Sequence, residues 1–290
     1  MDRLGGVIAL SVTPFTDSGE LDELSMRRLV DHCVDGGVSA LIALGRVGEV
    51  TYMTMDERAR VMDVVLDQAA GRLPIGFGCI DLTFDDGLTL ARLARDAGAD
   101  FMMSRSPIDG DILDYYRRVA EVVPVMVYDL GLQRDMSIED DIVPLIADTG
   151  NVVGVKISGL QEQVVKAKEI LDVPVLCGHE TMLLVSYQLG VDGVTSGFAM
   201  LSPYHEVALY ELAREKRWDE ARDLFYGTHL PLVNYLPGGP GMVGWSIVKN
   251  ILVWEGIIDS PYVRPPSLPA GETRLAEARV LWEKIKASEG

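Results

Sequence analysis

The chain has 290 residues, 48% hydrophobic and 24% charged, the balance of a globular protein long enough to bury a sizeable core. Its 44 acids outnumber 26 bases, and the formal net charge of −18 repels nucleic-acid backbones and anionic membranes, so neither is expected as a partner. Cys33, Cys79 and Cys177 have no metal-ligand spacing and fit buried thiols of a reducing compartment, so the expected location is the cytoplasm.

The first apolar run, residues 6–13, stops at Pro14 and is too short to span a bilayer. It reads as a strand and not as part of a signal peptide. An amphipathic stretch over 22–36 follows, stops at Gly36-Gly37, and gives way to a second apolar run from Ala40. The same alternation recurs to residue 216. Strands are predicted at 6–13, 40–45, 75–79, 101–104, 125–130, 152–158, 174–178 and 193–199. Helices are predicted at 22–36, 54–70, 84–97, 110–122, 138–148, 160–171, 180–189 and 202–216. Thr54 with Glu57 three residues on reads as a capping box. In DGGVSALI, DAGADFMM and LGVDGVTS a helix stops at glycine and a buried strand begins within a few residues.

Eight such units predict an α/β fold, a (β/α)8 TIM barrel over residues 1–216. An open, doubly wound sheet is the competing arrangement, but no G-x-G-x-x-G follows the first strand. Beyond 216 the alternation stops. Three helical stretches, the last two separated by PPSLPAG (265–271), predict a C-terminal helical extension over 217–290 packed on the barrel.

Barrels of this kind place their chemistry at the C-terminal ends of the strands. The four histidines, His32, His179, His205 and His229, have no paired spacing, and no phosphate-binding G-K-S/T loop occurs, so neither metal nor cofactor is expected. Lys156 stands out inside VVGVKISG. Alternation puts Gly154, Lys156 and Ser158 on the inward face and leaves Val153, Val155 and Ile157 for the helices. Desolvation penalises an ammonium there and favours the neutral amine that imine formation requires. The structural alternative is a lysine paired with a buried carboxylate. Tyr128, at the end of VMVYDL, shares a face with Met126 and lies within reach of the same substrate. It suits proton transfer or oxyanion binding, or else serves as a core tyrosine with a satisfied hydroxyl. After the second strand, LGRVGEV (44–50) brackets Arg46 and Val47 between Gly45 and Gly48, a turn whose backbone N–H groups form either an anion cradle or a plain tight turn.

In this order and spacing the features resemble the dihydrodipicolinate synthase / N-acetylneuraminate lyase family, over nearly the whole chain. The resemblance is carried by VTPF (12–15), by GRVGE (45–49) where the family has G-T/S-T-G-E, and by VYDL (127–130) with its strand-end tyrosine. GVKISG (154–159) matches the Schiff-base lysine, and LCGHE (176–180) and DGVTSGFAMLSP (192–203) match later motifs. The resemblance implies a metal-free class I mechanism in which Lys156 attacks the ketone of pyruvate or a pyruvate-derived 2-oxo acid and Tyr128 moves protons. It implies that the turn opened by Gly45 binds the substrate carboxylate through the N–H groups of Arg46 and Val47, and that Gly178 and Thr195 line the imine site. It also implies a homo-oligomer, a dimer of dimers.

The departures concern the substrate. Arg46 and Val47 replace two hydroxyl residues, and valine relays no proton. Ile108 and Asp109 follow Pro107 where synthases have a Tyr-Tyr pair that reaches across the dimer. Tyr115 and Tyr116 lie too far into the next helix to replace it. Arg134 is about one residue out of register with the arginine that holds the synthases' second substrate. The expected activity is therefore aldol cleavage or condensation of a 2-oxo acid. A dehydratase of a 2-oxo-3-deoxy sugar acid and a non-catalytic metabolite binder are the alternatives. Arg46 is expected to bind a second carboxylate or an oxyanion, or to form a rim salt bridge with Asp81 or Asp109.

Overall fold

Short runs of Val, Ile, Ala and Met have too few residues for a stable helix and become strands that are buried on both faces. In the computed structural model, which describes residues 4–129, 136–236 and 244–288, eight of them pair in parallel and in chain order into a closed barrel. They are β1 (Gly6–Leu10), β2 (Ala40–Ala43), β3 (Ile75–Cys79), β4 (Phe101–Ser104), β5 (Val125–Asp129), β6 (Val152–Ile157), β7 (Val175–Cys177) and β8 (Gly193–Ser196). The helices between and after them are α1 (Glu23–Asp35), α2 (Met55–Ala69), α3 (Phe84–Ala97), α4 (Ile112–Val122), α5 (Val143–Thr149), α6 (Gln161–Ile170), α7 (Leu183–Gln188) and α8 (Pro203–Arg214). The predicted α/β barrel is borne out, with β1 closing onto β8 through Gly6↔Gly193 and Ile8↔Thr195. The capping box is present: Thr54 Oγ1 accepts from Glu57 N–H and the Glu57 carboxylate accepts from Thr54 N–H.

Several predicted strands end early, each for a local reason. The 193–199 run stops at Ser196 because its hydroxyl accepts from the N–H groups of Phe198 (3.1 Å) and Ala199 (3.2 Å) and turns the chain into a short 3₁₀ turn. The 6–13 run leaves the ladder after Ser11, whose N–H still reaches Ile42 O; Val12 N–H goes instead to Met200 Sδ (3.1 Å). Leu130, the last residue predicted in the fifth strand, lies outside the described residues, as does Arg134. The helix predicted over 138–148 opens with a wide π turn at Ile138–Ile142. Pro144 follows, and its missing N–H breaks the regular ladder at that point.

After residue 216 come α9 (Trp218–Leu224), a second π turn before Pro231, α10 (Leu230–Tyr235), α11 (Gly244–Trp254) and α12 (Glu272–Ser288). Trp282 of α12 is 2% exposed and donates its indole N–H to Glu255. A buried ion pair joins α11 to the turn after β2, beside apolar contacts of Ile247, Ile251 and Leu252 with the core. Lys249 of α11 and Glu49, both buried, meet at 2.5 Å, and Glu49 also accepts from Arg264 N–H at 2.8 Å. Burial pulls the Lys249 ammonium down to about 8, and the Glu49 carboxylate opposes that fall. Cys33, Cys79 and Cys177 are all buried, and burial raises each thiol, Cys33 to about 12. Among the described residues no helix is long and apolar enough to cross a membrane.

Candidate active site

The inward and outward faces of the strands are fixed by what their side chains touch. Cys79 of β3 and Ser104 of β4 point at the helices, where both meet the Tyr115 hydroxyl of α4, at 3.1 and 3.0 Å. Their alternates, Gly78 and Met103, therefore face the barrel interior. On β5 and β6 the same alternation turns Met126 and Tyr128, then Gly154 and Lys156, inward.

Tyr128 and Lys156 are direct partners in the β5–β6 register. The Lys156 side chain rises toward the C-terminal mouth. Its Nζ lies 4.0 Å from the centroid of the Tyr128 ring and 3.9 Å from Met103 Sδ, and the residue is 3% exposed. Among the described residues no carboxylate forms an ion pair with it. The contrast with Lys249 is informative: that lysine is buried as well, and it is paired with Glu49. The structural alternative posed for Lys156 is thus realised at a different lysine.

The remaining sequence-predicted residues surround this amine. Gly178 follows β7 and faces it: a methyl at Gly178 would lie 2.5 Å from Lys156 Cε and 2.2 Å from Ser158 Oγ. Thr195 is level with Gly178, because Cys177 pairs with Val194. Its side chain is buried, and its Oγ1 has no hydrogen-bond partner among the described residues. Across the mouth, Gly45 lies beside Met103, whose Cε would be 4.0 Å from a methyl at Gly45. Val47 packs toward the β8 end, with Cγ1 3.2 Å from a methyl placed at Gly197. Gly45, Val47, Gly178, Thr195, Tyr128 and Lys156 thus line one mouth.

The 44–49 turn is tightly specified. Leu44 and Glu49, at its two ends, have φ of 58° and 57°. Between them Arg46–Gly48 form a single 3₁₀ turn, in which Gly48 N–H bonds back to Gly45 O (3.0 Å). The N–H groups of Arg46 and Val47 come before that first bond and have no acceptor within the turn. Thr13 anchors the turn from below, donating its hydroxyl to Gly48 O at 2.8 Å.

The Arg46 side chain pairs with Asp81, one of the two acids proposed for it, at 3.3 Å. Asp109 instead accepts from Phe84 N–H at 2.7 Å. Tyr115 and Tyr116 are buried behind the barrel, where Tyr116 donates to Ser104 O (2.9 Å), so neither supplies the mouth. Ile108 is 63% exposed.

Two residues at the mouth escaped the sequence reading. Glu180 accepts from Ser196 Oγ (2.9 Å) and Phe198 N–H (2.8 Å), locking the β7 and β8 loops together. Arg105, one residue past β4, shares Asp81 with Arg46 at 2.9 Å. Extending the β4 alternation by one residue, from Phe101 and Met103, would have placed it on the inward face.

The sequence matches the Dihydrodipicolinate synthetase family over residues 3–285. It is 31% identical over 283 residues, 91% of each chain, to a 4-hydroxy-tetrahydrodipicolinate synthase of Thermus thermophilus. It is 29% identical over 289 residues, 95% of this chain and 93% of the relative, to the enzyme of that name from Salinibacter ruber. Among solved structures, dihydrodipicolinate synthase from Rhodopseudomonas palustris superposes with a TM-score of 0.86 at 26% identity, covering 97% of both chains. N-acetylneuraminate lyase from Fusobacterium nucleatum shares the fold, with a TM-score of 0.86 at 21% identity over 97% of this chain and 98% of that one. The resemblance read from six short motifs is borne out: the chain belongs to the dihydrodipicolinate synthetase family and is a lyase of its Schiff-base aldolase class.

Proposed function

We propose that the enzyme makes or breaks a C–C bond next to a pyruvate unit, through an imine between Lys156 and the ketone of a 2-oxo acid. The observation that carries this reading is a buried lysine at the strand ends that rests on an aromatic face and, among the described residues, on no carboxylate. The neutral amine adds to C2, the carbinolamine loses water, and the resulting iminium draws electrons from C3. Loss of a C3 proton then gives an enamine, which attacks an aldehyde in condensation; the reverse sequence cleaves the aldol. Tyr128 passes the protons of carbinolamine formation and breakdown. The substrate carboxylate is held by the N–H groups of Arg46 and Val47 in the turn opened by Gly45. Gly178 leaves room for the imine, and the Thr195 hydroxyl, with no hydrogen-bond partner among the described residues, supplies a polar contact.

Val47 and the exposed Ile108 replace groups that the synthases use, which favours an aldolase of a different 2-oxo acid over the reaction named for the curated relatives. We propose for this chain the dimer-of-dimers assembly that the resemblance implies.

The test needs no knowledge of the second substrate. In D₂O the wild-type protein is expected to exchange the methyl protons of pyruvate, followed by NMR. Lys156→Ala is expected to abolish the exchange, and Tyr128→Phe to slow it about 100- to 10,000-fold. Exchange that survives in Lys156→Ala would overturn the assignment.

A further inference from the structure

The imine chemistry leaves a charge cluster at the mouth unused. Arg105 Nη1 and Arg46 Nη2 converge on the two oxygens of Asp81, at 2.9 and 3.3 Å. Two guanidiniums on one carboxylate leave a net positive charge there, in a chain whose overall charge is −18. The Arg105 side chain is 10% exposed, whereas Asp81 is 36% exposed on a backbone with φ of 55°. The arginine is thus built into the mouth and the acid lies on its outer edge.

The register places Arg105 relative to the amine. Ser104 pairs with Val127, Tyr128 pairs with Lys156, and the Arg105 N–H extends the ladder onto Cys79 O at 3.0 Å. Arg105, Tyr128 and Lys156 therefore stand in one row on three adjacent strands and face inward together. Two strand spacings, about 10 Å, separate the backbones of Arg105 and Lys156, and two long side chains close much of that gap.

We propose that Arg105, with Arg46 beside it, reads a second carboxylate at the far end of the substrate, so that the favoured substrates are 2-oxo diacids. The proposal rests on the imine reading of Lys156 and names the substrate class of that site. Asp81 already demonstrates that the two guanidiniums converge on one carboxylate-sized group. An arginine offers five N–H donors in a planar fork that matches a carboxylate, and the Asp81 contact occupies few of them. The Arg46–Asp81 pair is exposed on both sides and weak, so an incoming carboxylate takes Arg46 from Asp81 at small cost and shares Arg105 with it.

The experiment compares 2-oxoglutarate with 2-oxopentanoate, which share a five-carbon chain and differ in the terminal carboxylate. Each is titrated against borohydride trapping at Lys156, read by protein mass. Wild type is expected to half-saturate at a concentration at least about 10-fold lower with the diacid. Arg105→Gln is expected to raise the diacid value about 10- to 100-fold and the monoacid value far less. Arg105→Lys keeps the charge and the link to Asp81 but loses the fork, and falls between. Asp81→Asn removes the competing carboxylate and lowers the diacid value. Equal half-saturation by both acids in wild type, or equal shifts for both in Arg105→Gln and Arg105→Lys, would overturn the proposal and leave Arg105 as a rim ion pair. Failure of wild type to trap pyruvate itself would overturn the imine reading, and this proposal with it.

Discussion

Gly178 sets how closely β7 approaches the reactive amine. With Lys156 Cε 2.5 Å and Ser158 Oγ 2.2 Å from the position a methyl would take, Gly178→Ala must push the lysine side chain aside. A displacement on the order of 1 Å at a reacting group costs about 100-fold in rate. Gly178→Ala is therefore expected to slow pyruvate proton exchange by about that factor while the protein remains folded by circular dichroism. Wild-type exchange in this variant would mean that the amine does not work in the conformation described. Lys156 and Tyr128 were legible in the sequence because each is a polar residue in a short apolar strand, where alternation assigns a face. Arg105 was not, because a charged residue after FMMS reads as the start of a loop, and only the continued ladder onto Cys79 keeps it on the strand's inward face.

Among the elements, the start of α2 concentrates the acid sensitivity. Glu57 completes the capping box and also meets Arg264 at 2.5 and 3.0 Å. The hydrogen bond from Arg264, with smaller help from Thr54, holds its carboxyl at about 2 against an ordinary 4.5. A carboxyl depressed in the folded state adds stability that is complete above its unfolded value and is lost as the pH falls from about 4.5 through about 2. Glu57→Gln is expected to lower the urea midpoint at pH 7 and to flatten its decline across that window. An unchanged acid profile would show that the pair contributes nothing measurable. The capping box itself was visible as T-x-x-E. The two π turns were not, since 3.6-residue periodicity runs through them; only the missing N–H groups of Pro144 and Pro231 mark the break. The strand ends at Ser196 and Leu10 were missed for a similar reason, because hydroxyl and thioether acceptors redirect N–H groups that an apolar pattern assigns to the ladder.

For the whole molecule, eightfold repetition made the barrel legible, since each βα unit announces itself with the same glycine-terminated helix and buried strand. The tie between barrel and extension was not legible: Lys249 and Glu49 are 200 positions apart, and nothing local pairs them. We propose that residues 217–290 form an extension packed on the barrel, with that buried pair steadying the turn that carries Arg46 and Val47. The proposed chemistry depends on one bond between Lys156 and a 2-oxo acid, and the intact mass of the protein reads it directly. Incubation with pyruvate and borohydride is expected to add a single reduced pyruvate per chain, mapped by peptide sequencing to Lys156. A chain that stays unmodified, or one modified at another lysine, would contradict the account.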